Sequence, residues 1–190
     1  MNKGQITFKV SGTSPLILHN GQTADPLNQY SKRMKMLSGK RAKTDADFQE
    51  MARTEFEAGL YLNKEGHVIL PAIVLEAAIV SGAKKQRLGK AVQAGLYVLE
   101  DAPLIFPDAA MTVDELWECG RYRFSVPVKV QMSKVIRTRP KFDEWALEFT
   151  VIYYDDILNE ADVRKIITDT GDLIGLCDWR PRFGRFEVVK

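Results

Sequence analysis

Two histidines, two cysteines and a scatter of carboxylates are the residues of this 190-residue sequence from which a reaction centre would have to be built. His19 and His67 are far apart, as are Cys119 and Cys177, so the chain has no CxxC, no HExxH and no zinc-ligand spacing. A nucleophilic Ser-His or Cys-His pair would need one of those two histidines. His19 ends a predicted strand and His67 falls in a predicted turn, where an imidazole serves most simply as a surface or hydrogen-bonding group. Neither GxxxxGK[ST] nor GxGxxG occurs, so no phosphate-cradling loop is indicated. Asp155-Asp156 is a carboxylate pair, but it closes a strand just before Asn159 and reads as a loop feature. Asp25, before Pro26, lies in the loop after the first strand, where a lone carboxylate could assist backbone cleavage of RNA. No cofactor and no metal are expected, and catalysis stays an alternative carried by Asp25 or a histidine.

The cations offer more. Net charge is only +2, yet four segments, Ser31–Lys43, Ala77–Leu99, Cys119–Phe142 and Trp179–Phe186, hold 20 of the 27 basic residues and no acid. The remaining chain carries 7 basic residues against all 25 acids. If the four segments converge on folding, they form a strongly positive face suited to a polyanion. Arg137, Arg139 and Lys141 alternate, so in extended chain they share one side at a repeat of roughly 6.6 Å, close to that of an extended nucleic-acid backbone. Asp178-Trp-Arg-Pro-Arg-Phe-Gly-Arg-Phe186 interleaves Arg180, Arg182 and Arg185 with Trp179 and two phenylalanines. Guanidinium groups fork onto phosphates, and exposed aromatic rings stack on bases with little sequence preference. Lys84, Lys85, Arg87 and Lys90 form a basic helix end and exit loop, and Lys40, Arg41 and Lys43 belong to a basic stretch suited to clamping. These fourteen residues, Trp179 included, are the expected nucleic-acid contacts.

Composition bounds the class. Hydrophobic residues make up 45% and charged residues 27%, as in an ordinary water-soluble globule. No apolar run approaches membrane-spanning length, and Met1–Val10 lacks the apolar block of a signal peptide. The expected setting is the cytoplasm, with reduced thiols.

The elements that must position the cations can be read from periodicity. Ile6, Phe8 and Val10 alternate in a first strand; Gln22–Lys43 is polar and reads as a mobile loop. Thr44 and Asp47 have capping-box form ahead of a helix over 45–60, and Pro71 suits a first helical position for a helix to about Lys85. Gly95–Phe106 reads as strand, turn, strand; Met111–Glu118 as a short helix or loop. Phe124, Val126, Val128 and Val130 alternate around Pro127, and Lys129 and Gln131 carry a ribbon toward Arg137. A strand follows from Trp145 to Tyr153, then a helix capped by Asn159, then a strand over Phe183–Val189. The order β-α-β-β-α-β predicts an α+β, ferredoxin-like or RRM-like core: one domain, with an insertion over 20–66 and a ribbon over 107–142.

At this level the chain resembles the RAMP superfamily, which includes the guide-RNA-binding backbone subunits of CRISPR effectors. The resemblance rests on Val68-Ile-Leu-Pro-Ala72 running through Ala77 to Gly82-Ala-Lys-Lys85, and on Gly171–Phe186, which looks like that family's last helix, Gly/Arg-rich segment and strand. It covers about half the chain. Ile73-Val-Leu-Glu-Ala77 stands where the family has a Ser-Ser-Leu-Lys-Gly type of segment. The ending Asp178–Phe186 is also similar to bacteriophage proteins. The resemblance implies an RRM-like core that binds single-stranded RNA or DNA, with copies able to line up as a homo-oligomer along the strand. Some family members carry a cleaving Asp in the loop after the first strand, where Asp25 falls, but the flanking residues do not match. The leading expectation is a non-enzymatic single-stranded nucleic-acid-binding protein of a phage or prophage. The alternatives are an endoribonuclease of the same fold, and an assembly or inhibitor protein whose basic face meets an acidic protein.

Overall fold

Among the described residues, fifteen regular strands and helices follow one another as β1 (Lys3–Gly12), β2 (Leu16–Ile17), α1 (Gln29–Ser38), α2 (Asp45–Gly59), β3 (Ile69–Leu70), α3 (Ala72–Ala83), α4 (Gly89–Gly95), β4 (Leu96–Val98), β5 (Ala102–Pro103), α5 (Val113–Glu118), β6 (Arg123–Val130), β7 (Ser133–Phe142), β8 (Ala146–Tyr154), α6 (Glu160–Asp169) and β9 (Phe186–Val189). The computed structural model describes residues 2–130 and 132–189, so Gln131, read as carrying the ribbon onward, lies outside the described residues. The chain divides into two compact units, one of residues 1–17, 62–109 and 142–190, the other of residues 18–61 and 110–141.

The first unit contains a four-stranded antiparallel sheet in the order β4-β8-β1-β9. The period-two pattern of β1 dictates its faces. Ile6, Phe8 and Val10 lie opposite Val151, Phe149 and Leu147 of β8, all six buried. The other face is polar: the hydroxyls of Thr7 and Thr150 meet at 2.9 Å, and Lys9 pairs with Glu148 at 3.2 Å. Leu75 and Ile79 of α3, with Val163, Ile166 and Ile167 of α6, complete the core. Along the chain this is β1-α3-β4-β8-α6-β9, the expected β-α-β-β-α-β plan of a ferredoxin-like α+β fold.

Local details differ from the sequence reading. β4 and β5 do not pair with each other: β4 joins β8 and β5 pairs with β3, because the intervening Leu99-Glu100-Asp101 turn sends its Asp101 carboxylate to cap the Ala72 N–H of α3 at 2.8 Å. Pro71 is the residue before α3, not its first. The exit of α3 is not a loop: Lys84–Gln86 forms a 3₁₀ turn, Arg87 takes a left-handed conformation (φ 61°), and α4 follows. The last strand starts at Phe186, since Leu176 N–H donates to the Gly184 carbonyl and bends the chain before it into an arch.

The second unit holds α1, α2, α5 and the ribbon of β6 and β7, paired from Arg123↔Pro140 to Val130↔Ser133. Its core joins Phe56, Leu60 and Leu116, with the Trp117 ring 5.5 Å from that of Phe56. The segment read as a mobile loop, Gln22–Lys43, is largely helical instead. Asn20 and Asn28 each cap a helical turn through a side-chain oxygen, Leu37 is buried, and Arg33 reaches Glu57 at 2.9 Å and Glu50. A polar stretch thus gains order from caps and ion pairs that apolar periodicity does not register.

The Thr44–Asp47 capping box is present, and Lys40 adds an ion pair to Asp47 at 2.5 Å. The Lys40 ammonium and the Thr44 N–H together hold the Asp47 carboxyl down at about 2. A depressed carboxylate stabilises the fold above its ordinary value and loses that contribution as pH falls through its folded value. The start of α2 is therefore expected to loosen between pH 4 and pH 2. Asp47→Asn should lower thermal stability at pH 7 and flatten the acid limb, read by circular dichroism melts across that range.

Candidate nucleic-acid interface

Charge is unevenly shared. The second unit carries 14 Lys and Arg against 9 Asp and Glu; the first carries 13 against 16. Six of those nine acids are already engaged inside the second unit. Asp47 meets Lys40, Glu50 and Glu57 meet Arg33, Glu57 also takes Arg53 Nε at 2.7 Å, Asp114 and Glu118 face Arg53, and Glu55 faces Arg137. Lys32, Lys35, Arg41, Lys129 and Lys134 are exposed and make no ion pair among the described residues.

β7 positions the row of cations. Arg137, Arg139 and Lys141 alternate with buried Thr138 and Pro140, so the three share one side of the strand, each half-exposed. Opposite them on β6 lie Val126 and Phe124, and the Lys141 ammonium sits 5.2 Å from the Phe124 ring centre. The Glu55 carboxylate of α2 takes the Thr138 N–H at 2.8 Å and the Arg137 guanidinium, and Leu18 N–H donates to the Pro140 carbonyl at 3.0 Å. Gly59 allows this close approach: a Cβ there would lie 2.7 Å from Pro140 Cδ. The row therefore rides on a strand tied along its edge to α2 and to the chain after β2.

Beside the row opens a cavity of about 430 Å³ within the second unit, lined among others by His19, Ser31, Met34, Glu55, Arg137 and Arg139. His19 and the two α1 residues were not among the expected contacts. Nothing in their spacing flags them, since only the fold brings Leu18–Thr23, α1 and β7 around one space. Of the other expected contacts in this unit, Lys40 is paired with Asp47, Arg41 is exposed, and the Lys43 ammonium donates to the Lys40 carbonyl at 2.9 Å.

The remaining expected contacts lie in the first unit. Lys84, Lys85, Arg87 and Lys90 are exposed around the α3 exit, where Gln86 Nε2 donates to Asp169 at 2.6 Å. Arg180, Arg182 and Arg185 project from the arch between α6 and β9, each exposed and with no ion pair among the described residues. The arch is pinned by Asp178 N–H to the Ile17 carbonyl (3.0 Å), Gly184 N–H to the Pro15 carbonyl (2.8 Å) and Arg185 N–H to the Ser14 hydroxyl (2.9 Å). Trp179 is half-buried, 6.0 Å from the Phe183 ring, while Phe186 is buried edge-on to Trp145 and has no face left for a base.

The residues considered for catalysis are placed otherwise. Asp25 is exposed, with Oδ1 accepting the Leu27 N–H at 2.8 Å in a loop turn. His67 lies in an exposed turn built on Asn63. The Cys177 thiol is pushed up to about 12 by burial, which keeps it protonated and unreactive. Among the described residues no three His, Cys, Asp or Glu side chains gather in a metal-binding cluster, and no helix is long and apolar enough to cross a membrane.

No protein-family model matches the chain, and no curated protein matches it. Among solved structures, 42 chains match. One comes from the cryo-EM structure of the Type III-B Cmr-beta bound to cognate target RNA, with a TM-score of 0.56 and 10% sequence identity over 99% of this chain. The present chain spans 59% of that chain's length. At this identity the likeness is one of fold, and it accords with the α+β, ferredoxin-like architecture of the RAMP type.

Proposed function

We propose that this chain is a non-enzymatic protein that binds single-stranded nucleic acid, RNA or DNA, through its phosphates and with weak sequence preference. The observation that carries the reading is the cationic row Arg137, Arg139 and Lys141, set on a buttressed strand in a unit whose basic residues outnumber its acids 14 to 9. Most of that unit's acids are spent on internal ion pairs, so the surplus is presented outward. Half or more of protein contacts to nucleic acid go to phosphate and sugar, and release of counterions supplies sequence-independent affinity. RNA is the first candidate, because the Cmr-beta structure whose fold this chain shares is bound to target RNA.

The arch with Arg180, Arg182 and Arg185, and the α3 exit with Lys84, Lys85, Arg87 and Lys90, are proposed as further contacts along the same strand, with Trp179 available for stacking. Lys40, Arg41 and Lys43 complete the set. The same reading has copies lining up on the strand in the cytoplasm of a bacterial host, encoded by a phage or prophage.

The test is purification without nuclease. The protein should elute with an absorbance ratio (260 to 280 nm) well above that of protein alone, lowered by ribonuclease or deoxyribonuclease. A protein-like ratio, unchanged by either enzyme, together with no binding of a labelled 20-mer at low salt, would overturn the proposal.

A further inference from the structure

The cavity beside the cationic row has a chemistry of its own. At about 430 Å³ it lies at the small end of sites that enclose organic ligands, which span roughly 300–1,000 Å³. One wall is cationic, from Arg137 and Arg139; the facing wall is α1, with the Ser31 hydroxyl and the Met34 thioether. The rim is built rather than loose. The Asn20 carboxamide is engaged twice, Nδ2 donating to the Leu60 carbonyl at 3.0 Å and Oδ1 accepting Gln22 N–H at 3.1 Å, and Gln22 Nε2 donates to the Ala58 carbonyl at 2.9 Å. The Ser31 hydroxyl gives its proton to the Thr23 carbonyl at 2.9 Å, which leaves its lone pairs to accept. An anion end, a hydroxyl and a soft apolar side chain that favours aromatic contact are the complement of a nucleotide.

The charge of the lining narrows the choice. Two guanidiniums against the single Glu55 carboxylate leave one formal positive charge. A phosphodiester brings one negative charge; a terminal phosphate brings nearly two and a triphosphate more. The geometry points to a site for one internal nucleotide of a bound strand, its phosphodiester on Arg137 and Arg139 and its base against Met34, rather than for a free nucleotide. This inference rests on the proposal of strand binding, and the experiment below separates the two.

The probes are ApA, with a single phosphodiester, 5′-AMP, ATP and a labelled 20-mer, each added to the full-length, ¹⁵N-labelled protein. Saturable shifts of the Ser31, Gly59 and Arg139 amides are expected with ApA, and ATP should bind no more tightly than ApA despite its greater charge. Ser31→Phe fills the cavity and should abolish the ApA shifts, while the 20-mer still binds about tenfold more weakly with an unchanged salt dependence. Ser31→Asp is the second variant: an acid in the first turn of α1 suits the helix dipole, so folding is retained while the phosphodiester is repelled. It should lose ApA equally. Binding of the 20-mer with no cavity shifts from ApA, or ApA binding untouched by both variants, overturns the site and leaves the strand proposal standing. Cavity shifts from ApA without 20-mer binding support the site and count against the strand proposal.

Discussion

Replacing Arg137, Arg139 and Lys141 together with alanine is expected to weaken binding of a 20-nucleotide single strand by at least a hundredfold near physiological salt. Each phosphate contact on a single strand contributes about 0.7 to the slope of log affinity against log salt, so losing three should make that slope shallower by about 2. Charge-assisted hydrogen bonds are worth about 1.5–3 kcal/mol each, and two such losses already give the expected factor. The third is smaller, because Arg137 already spends part of its charge on Glu55. Fluorescence anisotropy over a salt series measures both quantities, and near-ultraviolet circular dichroism checks that the ribbon stays folded. An unchanged affinity would move the interface off β7 altogether.

The second large effect is structural. Gly184 sits at φ 75°, and a Cβ there would lie 2.1 Å from the Leu176 carbonyl oxygen and 2.7 Å from the Leu176 nitrogen. Its N–H donates to Pro15 and its carbonyl accepts from Leu176, so neither segment can yield without breaking the bonds that pin the arginine arch. A left-handed non-glycine costs about 1–2 kcal/mol, and forcing an extra methyl into packed structure about 1–3 kcal/mol. Gly184→Ala should therefore destabilise the protein by about 2–5 kcal/mol. In a chain of this size that lowers Tm by roughly 5–20 °C. Calorimetry reads it directly, and a Tm within a degree of the parent would mean that the arch is not held as described.

What the sequence revealed followed from periodicity. The alternation of Ile6, Phe8 and Val10, and of Leu147, Phe149 and Val151, names the faces of β1 and β8 because one side of each is buried. The capping box at Thr44 and the cap at Asn159 announce α2 and α6, and the two-residue spacing of Arg137, Arg139 and Lys141 is enough to put them on one side of an extended chain. What stayed hidden lacks such a signal. α1 has a single buried side chain, Leu37, and is held by caps and by Arg33 reaching across to α2. α4 begins and ends in glycine and is anchored by Val92. The Thr112–Glu115 capping box that starts α5 lies in a stretch too short for periodicity to show. The cavity is hidden for a deeper reason: His19, Ser31, Met34 and Arg139 become neighbours only through tertiary contacts.

The most direct test of the central claim, that this protein holds single strands by their phosphates, is the salt dependence of its affinity for an unstructured 20-nucleotide RNA and the matching DNA between 50 and 500 mM salt. The account predicts a straight fall of log affinity with log salt, at a slope of about −2 or steeper. Tight binding that stays level across that range, or no binding at its lowest point, would contradict it.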